Sequence, residues 1–365
     1  MIGTRVLFAD LRTDALIDVL PVDGLGYDAY VGKTGSLRGT IPVPSAAVAR
    51  RCMRLLPART AVWLEQDGRI AWGGILWTRT PTTDDRGRAS MPIQAATFES
   101  YFDHRILYDS LSATGTDQLA IARQLVDYAQ AVTGGDIGIE VDPAQMSGVL
   151  RDRTYSRYDH GRVRAVLDQL ASVEDGFEWL VQPWRDDAGI RHKSLRLGYP
   201  RLTAGSADVV LDYPGRIRAF AWPEDASGQA TAWQSRGAST NQNQAAASTP
   251  LLSPLLTYPD LLDAGWPRLD GTSDYTTVTT QAVLDEHAAA DIAAARTSRL
   301  IPEVTIGLAG GYPVPPLGAH VRLRIRDQVW HPDGLSARYR VVGASVQPPA
   351  RGQHPTARLY LEEAA

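Results

Sequence analysis

The segment from Thr60 to Leu107 constrains the fold more than any other stretch of this chain. It begins Thr60-Ala-Val-Trp63-Leu-Glu65, turns at Asp67-Gly68, and continues Ile70-Ala-Trp72-Gly73-Gly74-Ile-Leu-Trp77-Thr-Arg79. A polar turn, Asp84-Asp85-Arg86-Gly87-Arg88, leads to Met91–Thr97 and then to an aromatic and charged run, Phe98-Glu-Ser-Tyr101-Phe-Asp-His-Arg105. β-Branched and aromatic residues bounded by Asp-Gly and Gly turns read as strands paired in hairpins. Two hairpins in tandem are specified, with no pattern of nucleophile, base or ligand among them.

Bulk properties narrow the class. A chain of 365 residues has room for two or three domains with real cores. Its net charge of -4 gives no global basic footprint for gripping nucleic acid. Lys33 and Lys193 are the only lysines. This reads as GC-rich coding in preference to selection of arginine for bidentate interface pairing. Cys52, the sole cysteine, excludes an intramolecular disulfide and a multi-cysteine zinc site, and its place in a helix makes it a buried thiol. Charges at Arg5, Asp10, Arg12, Asp14 and Asp18 interrupt any signal-peptide core. With no apolar run of the roughly 18 residues a membrane span needs, a soluble chain without its own export signal is expected.

Strand signals dominate the first hundred residues: Arg5–Phe8, Ala15–Leu20, Ala29–Val31 and the hairpins above. One helix interrupts them, Ala46–Leu56, capped by Ser45 and stopped by Pro57. From Thr116 the period becomes helical, with Leu119, Ile121, Ala122, Leu125, Val126 and Ala129 on one face, ending at Thr133–Asp136. A strand at Ile137–Val141, a helix at Arg162–Val173 and a hairpin, Phe177–Gln182 with Ser194–Gly198, complete an α+β unit. Val209–Tyr213, Ile217–Trp222 and Thr231–Ser235 are strands again. The pattern then fails from Gly237 to Tyr275, apart from an apolar island at Leu251–Leu262. A stretch this long reads as a functional arm, an interface segment or disorder. A helix over Thr280–Leu300 precedes strands at Val304–Leu308, His320–Arg326, Arg338–Val346 and Thr356–Glu362.

Several motifs approach chemistry and fall short. Gly24-Leu-Gly26-Tyr-Asp-Ala29 matches a dinucleotide pattern, but a strand and turn follow where a helix N-terminus should face the pyrophosphate. Gly32-Lys33-Thr34 lacks the first glycine of a phosphate loop, and reads as a β-turn. His287 and Asp291 share a helix face, which reads as solvated. His331-Pro-Asp333 has no nearby third ligand. The carboxylate pairs Asp84/Asp85, Glu174/Asp175 and Asp186/Asp187 each abut a glycine turn, where aspartate bonds its own backbone. No Gly-x-Ser-x-Gly elbow is present, and no catalytic, cofactor or metal residue is assigned.

Nine tryptophans are many for this length. Trp72 and Trp77 have opposite parity on one strand, so a regular strand points one inward and leaves the other for a neighbouring subunit.

The layout resembles the tail hub, or minor tail, proteins of tailed bacteriophages, relatives in fold of the central baseplate hub. The resemblance is carried by Trp72–Arg79 followed by Phe98–Arg105, by Arg153-Thr-Tyr-Ser-Arg-Tyr158 between two helices, by Val173-Glu-Asp-Gly-Phe-Glu-Trp179, and by Ala294-Ala-Arg296 before a β region ending Tyr339-Arg-Val-Val-Gly343. It implies a mostly β, α+β fold with two β-barrel-like, tube-type domains. These are residues 1–108, and 201–237 joined to 301–365. An α+β domain at 109–200 and a loop-rich, helical insertion at 238–300 accompany them. It also implies a non-enzymatic homotrimer in the virion, at the distal end of the tail. There it adapts a six-fold tube to three-fold tip components and gates DNA passage without specific binding. Its partners are the distal tail protein or tail tube, the tape-measure protein and tip or fibre proteins; no cofactor is implied. Trp72, Trp77, Phe98, Tyr101 and Arg105 are the expected residues of the barrel and its subunit contacts. The alternatives are a tail-associated cell-wall lysin and the hub of a contractile injection system.

Overall fold

A computed structural model describes residues 4–239, 249–308, 312–348 and 354–364. The first strands are β1 (Thr4–Asp10), β2 (Leu16–Leu20), β3 (Asp23–Tyr30) and β4 (Ser36–Pro42). After α1 (Ala46–Cys52) come β5 (Thr60–Gln66), β6 (Arg69–Arg79), β7 (Thr82–Thr83) and β8 (Ala89–Thr97). Turn chemistry sets these hairpins. The Asp10 carboxylate accepts from the amides of Arg12 and Thr13, each at 3.1 Å, closing β1 onto β2. Asp67 and Gly68 both take positive φ, 48° and 80°, so β5 reverses into β6 over two residues. Asp84 accepts from the amides of Arg86 and Arg88, as its place in a glycine turn implies. Ser45 caps α1 by accepting from Val48 N. The helix ends at Cys52, short of the expected Leu56, because Arg54 and Leu55 bond three residues back in a tightened turn.

A 3₁₀ helix, Phe98–His104, leads into β9 (Leu111–Asp117), α2 (Gln118–Ala131), β10 (Ile139–Glu140), β11 (Leu150–Tyr155), α3 (Val163–Ala171) and the hairpin β12 (Glu178–Arg185) and β13 (Arg191–Gly198). The apolar stripe of α2 is buried along its length. Its cap is Asp117, where Thr116 is expected. That carboxylate accepts from Leu119 N at 2.9 Å and also orders Ser147 and Gly148, a load a hydroxyl cannot carry. β9 and β11 pair in a two-stranded sheet that the polar sequence hides.

β14 (Ala204–Tyr213) and β15 (Ile217–Ala221) follow. Next come β16 (Glu224–Asp225), β17 (Ala232–Ser239), β18 (Pro250–Leu252), β19 (Leu256–Thr257), α4 (Pro259–Asp263), β20 (Asp270–Asp274), α5 (Gln281–Ala295) and β21 (Arg299–Leu300). The chain ends with β22 (Glu303–Gly307), β23 (Ala319–Ile325), β24 (Leu335–Gln347) and β25 (Thr356–Glu363).

Two compact units result: Met1–Leu167 with Phe177–Ala221 and Pro302–Ala365, and Asp168–Gly176 with Trp222–Ile301. In the larger unit one 14-stranded sheet runs β15-β22-β25-β24-β3-β4-β8-β6-β5-β1-β2, with β23 and β14 branching from β24 and β7 beside β8. Antiparallel pairing of β3 with β24, from Tyr30↔Gly343 to Tyr27↔Val346, joins the N-terminal and C-terminal strands. Gly343 is needed there, since a Cβ would lie 2.5 Å from the Tyr30 ring.

The smaller unit contains most of the stretch whose sequence pattern fails; 240–248 lies outside the described residues. Its strands β18, β19 and β20 hold two to five residues each, too few to show alternation. They gather around β17, where Trp233 lies over Gly271 so closely that a Cβ would meet its ring at 2.1 Å. α5 stops at Ala295, not Leu300, because Arg299–Leu300 pairs with Glu224–Asp225 as a strand.

Candidate assembly surface

β6 carries two irregularities that decide where its tryptophans go. Pairing with β5 skips Ala71, and pairing with β8 skips Trp77. Such bulges rotate the strand locally and re-aim a side chain. Trp72 is 1% exposed and donates from Nε1 to Asp28 O at 3.0 Å. Trp77 is half-buried; it donates from Nε1 to Ser100 Oγ at 2.9 Å and packs on His104 with ring centroids 4.4 Å apart. The Gly73-Gly74 pair makes the crowding around these rings tolerable. A Cβ on Gly73 would lie 2.7 Å from Pro183 Cβ and 2.9 Å from Phe98 Cε2. One on Gly74 would lie 2.1 Å from Ala96 O.

The Phe98–Arg105 run binds three elements together. Phe98 is fully buried against Trp63, ring centroids 5.1 Å apart. Glu99 is buried too; its Oε1 accepts from Val181 N at 2.7 Å, and burial pushes its carboxyl up. Tyr101 donates its hydroxyl to Gly135 O at 2.6 Å, while Phe102 meets Trp179 edge-on. Arg105 donates from Nε to Ala129 O at 3.0 Å, satisfying a carbonyl in the last turn of α2. Arg105 also sits 5.9 Å above the Tyr101 ring. Of the five residues expected at the barrel and its subunit contacts, Trp72 and Phe98 therefore fill the interior. Trp77, Tyr101 and Arg105 keep part of their surface, and their polar atoms serve contacts inside the subunit.

Buried charge is what the sequence reading missed. Arg340, 2% exposed, reaches Glu178 through both Nη atoms, at 2.5 and 2.6 Å, Glu362 through Nε at 2.6 Å, and Leu202 O through Nη1 at 2.7 Å. It links β12 to β24 and β25. Lys193 donates to Leu11 O and Ile137 O and stands 5.2 Å from the Phe98 ring centroid; burial pulls its pKa to about 8. The rarity of lysine in this chain was the one available signal. In the smaller unit His287 is buried and stacks on Tyr275 at 4.0 Å, correcting the solvated-face reading. Asp291 accepts from Tyr275 at 2.9 Å and from Ser273 at 2.5 Å, so this helix face holds α5 to β20. Among the described residues, no group of three or more His, Cys, Asp or Glu could hold a metal ion. Among the same residues, no helix is long and apolar enough to cross a membrane.

No protein-family model matches the chain, and no curated protein matches it in sequence. Solved structures match along its whole length. A tail protein from Neisseria meningitidis superposes with a TM-score of 0.62 at 13% identity, covering 99% of this chain and 97% of that one. The 43 kDa tail protein of prophage MuSo2 from Shewanella oneidensis gives 0.61 at 11% identity, with 98% of each chain covered. The chain has a tail hub-like fold. A prophage tail protein from Listeria monocytogenes extends the likeness, at 0.53 and 12% identity over 99% and 95% of the two chains.

Proposed function

We propose that this chain is a structural tail hub at the distal end of a phage tail, between the tail tube and the receptor-binding parts. Three copies form a ring that adapts a six-fold tube to three-fold tip components, contacts the tape-measure protein, and opens for DNA. The observation that carries this reading is the match in fold to tail proteins over essentially the whole of both chains. The single sheet adds support. In this reading the N-terminal and C-terminal strands, which pair through β3 and β24, are the two tube-type halves of each copy, six in a trimer.

Two further features fit a passive conduit. Arginines along β23, β24 and β25 are paired with carboxylates: Arg324 with Asp212 at 2.8 Å, Arg338 with Asp208 at 3.0 Å, and Arg358 with Glu303 at 3.4 Å. Neutralised arginines do not trap phosphates, which need clustered cations. In the carboxylate pairs Asp84/Asp85 and Asp186/Asp187, Asp84 and Asp186 accept from backbone amides in their turns. The test is genetic. Particles lacking this protein are expected to stop before tail tips form; complete, infectious particles would refute the hub role.

A further inference from the structure

Both ring nitrogens of His192 face carboxylates. His192 lies near the start of β13, beside the turn that joins β12 to it. Its Nδ1 is 2.5 Å from Glu140 Oε1 at the end of β10, and its Nε2 is 3.3 Å from Asp186 Oδ2 in the turn. The ring stacks on Trp184, its cross-strand partner, with centroids 4.4 Å apart and planes inclined by 19°. Trp184 donates from Nε1 to Ser194 Oγ at 2.8 Å, and Ser194 donates to Glu140 Oε2 at 3.0 Å.

A neutral imidazole offers one N–H and one lone pair, whereas an imidazolium donates from both nitrogens. Only the charged ring therefore matches two carboxylates at once. Loss of one proton turns a lone pair toward an oxygen that has only lone pairs, whichever tautomer remains. The other charged side chains of β13 are engaged elsewhere. Alternation sends Arg191 and Lys193 to the opposite face, where Arg191 meets Asp14 at 2.7 Å and Lys193 donates to Leu11 O and Ile137 O. Arg196, on the face of His192, donates to Gln182 at 2.7 Å. The bond to Glu140, with a smaller share from Asp186, holds the imidazole above its ordinary 6.5 against a burial that pulls it down.

The backbone holds the two carboxylates unequally. Asp186 is locked in its turn: its Oδ1 accepts from Ile190 N at 2.7 Å, its amide donates to Ile190 O and its carbonyl accepts from Gly189 N. Glu140 ends a strand of two residues, paired with β13 at Ile139 and Glu140 alone. Gln130 grips only the first of these, accepting from Ile139 N and donating to Ile139 O, each at 2.9 Å. Glu140 and the chain after it are thus the part free to yield. We propose that His192 is a proton-operated clasp: charged, it fastens the end of β10 to β13 and the Asp186 turn; neutral, it lets Glu140, Val141 and Asp142 come away. Its contribution to stability is complete below pH 6.5 and is lost as pH rises through the raised folded value. The clasp lies within one subunit and does not depend on ring formation.

The test uses the purified full chain. Nitrogen NMR of isotope-labelled histidine, with His192→Gln identifying the signal, gives the protonation midpoint of the ring. Amide hydrogen exchange of Glu140, Val141 and Asp142, divided by the intrinsic rate at each pH, gives the opening of the segment. The midpoint is expected above 6.5, and the corrected exchange is expected to rise about fivefold through that same midpoint, because a charge-assisted hydrogen bond is stronger than a neutral one. Glu140→Gln is expected to lower the midpoint. Asp186→Asn, which keeps an acceptor for Ile190 N, is expected to lower it less. His192→Gln is expected to abolish the step while exchange in α2 stays as in the wild type. A midpoint at or below 6.5 overturns the clasp. So does a step that persists in His192→Gln, which assigns it to another group, and so does a raised midpoint with no step in exchange, which leaves an ion pair that moves nothing.

Discussion

Trp72 and Trp330 are the same residue type in the same unit, and the backbone gives them opposite work. Trp72 lies on a paired strand, 1% exposed, with its Nε1 donating to a main-chain carbonyl. Trp330 lies on a loop organised by one aspartate and is 78% exposed. Between them is Trp77, half-buried in a bulge and committed to Ser100 and His104. An aromatic residue in sequence thus signals a large apolar surface, but pairing, bulges and loop chemistry decide whether that surface stabilises the subunit or remains for a partner.

The contrast can be broken by substitution, starting with the largest effects. Trp72→Ala should lower subunit stability by about 3–5 kcal/mol, because a large cavity opens among paired strands. Arg340→Ala should cost a similar ~3–5 kcal/mol, since Glu178 and Glu362 lose a shared buried partner. Urea denaturation reads both; a loss below about 1 kcal/mol for either contradicts the interior role. Gly73→Ala should cost about 1–3 kcal/mol by pressing a methyl group on Phe98 and Pro183.

Lys193 gives a pH signature. Burial holds its folded pKa near 8, against an ordinary 10.5 in the unfolded chain. Between these values the unfolded chain binds more protons, so stability contributed by this group rises as pH increases from about 8 to 10.5. Below about 8 the cost of burying the ammonium is fully present. The difference in stability between wild type and Lys193→Met should therefore change across that window; a constant difference contradicts a perturbed lysine.

Trp77→Ala should cost about 1–2 kcal/mol for one hydrogen bond and one ring contact, with self-association unchanged. Lost association at an unchanged melting temperature would return Trp77 to the subunit interface. Smallest of all, Trp330→Ser should move subunit stability by no more than about 0.5 kcal/mol, as for other exposed positions.

Much of the fold was legible because it is periodic. The stripe of α2, the Asp67-Gly68 hairpin and the Asp84 turn each follow from local chemistry and stand as read. β9, β11 and the strands β18, β19 and β20 of the smaller unit were hidden because they are polar or only a few residues long, whereas β17 was read in part as Thr231–Ser235. The assembly surface was less legible. Among the aromatic candidates Trp72 and Phe98 are interior, while the exposed Val329 and Trp330 lie on a loop that no periodic pattern marks. Parity assumes a regular strand, and the bulge at Trp77 removes that assumption. The Arg340 cluster joins residues far apart in sequence, so no local pattern marks it.

The most direct test of a ring-forming hub is the native mass of the purified chain in solution. A trimer, three times the 39.7 kDa chain, is the expected result. A particle of 39.7 kDa that persists as concentration rises would contradict it.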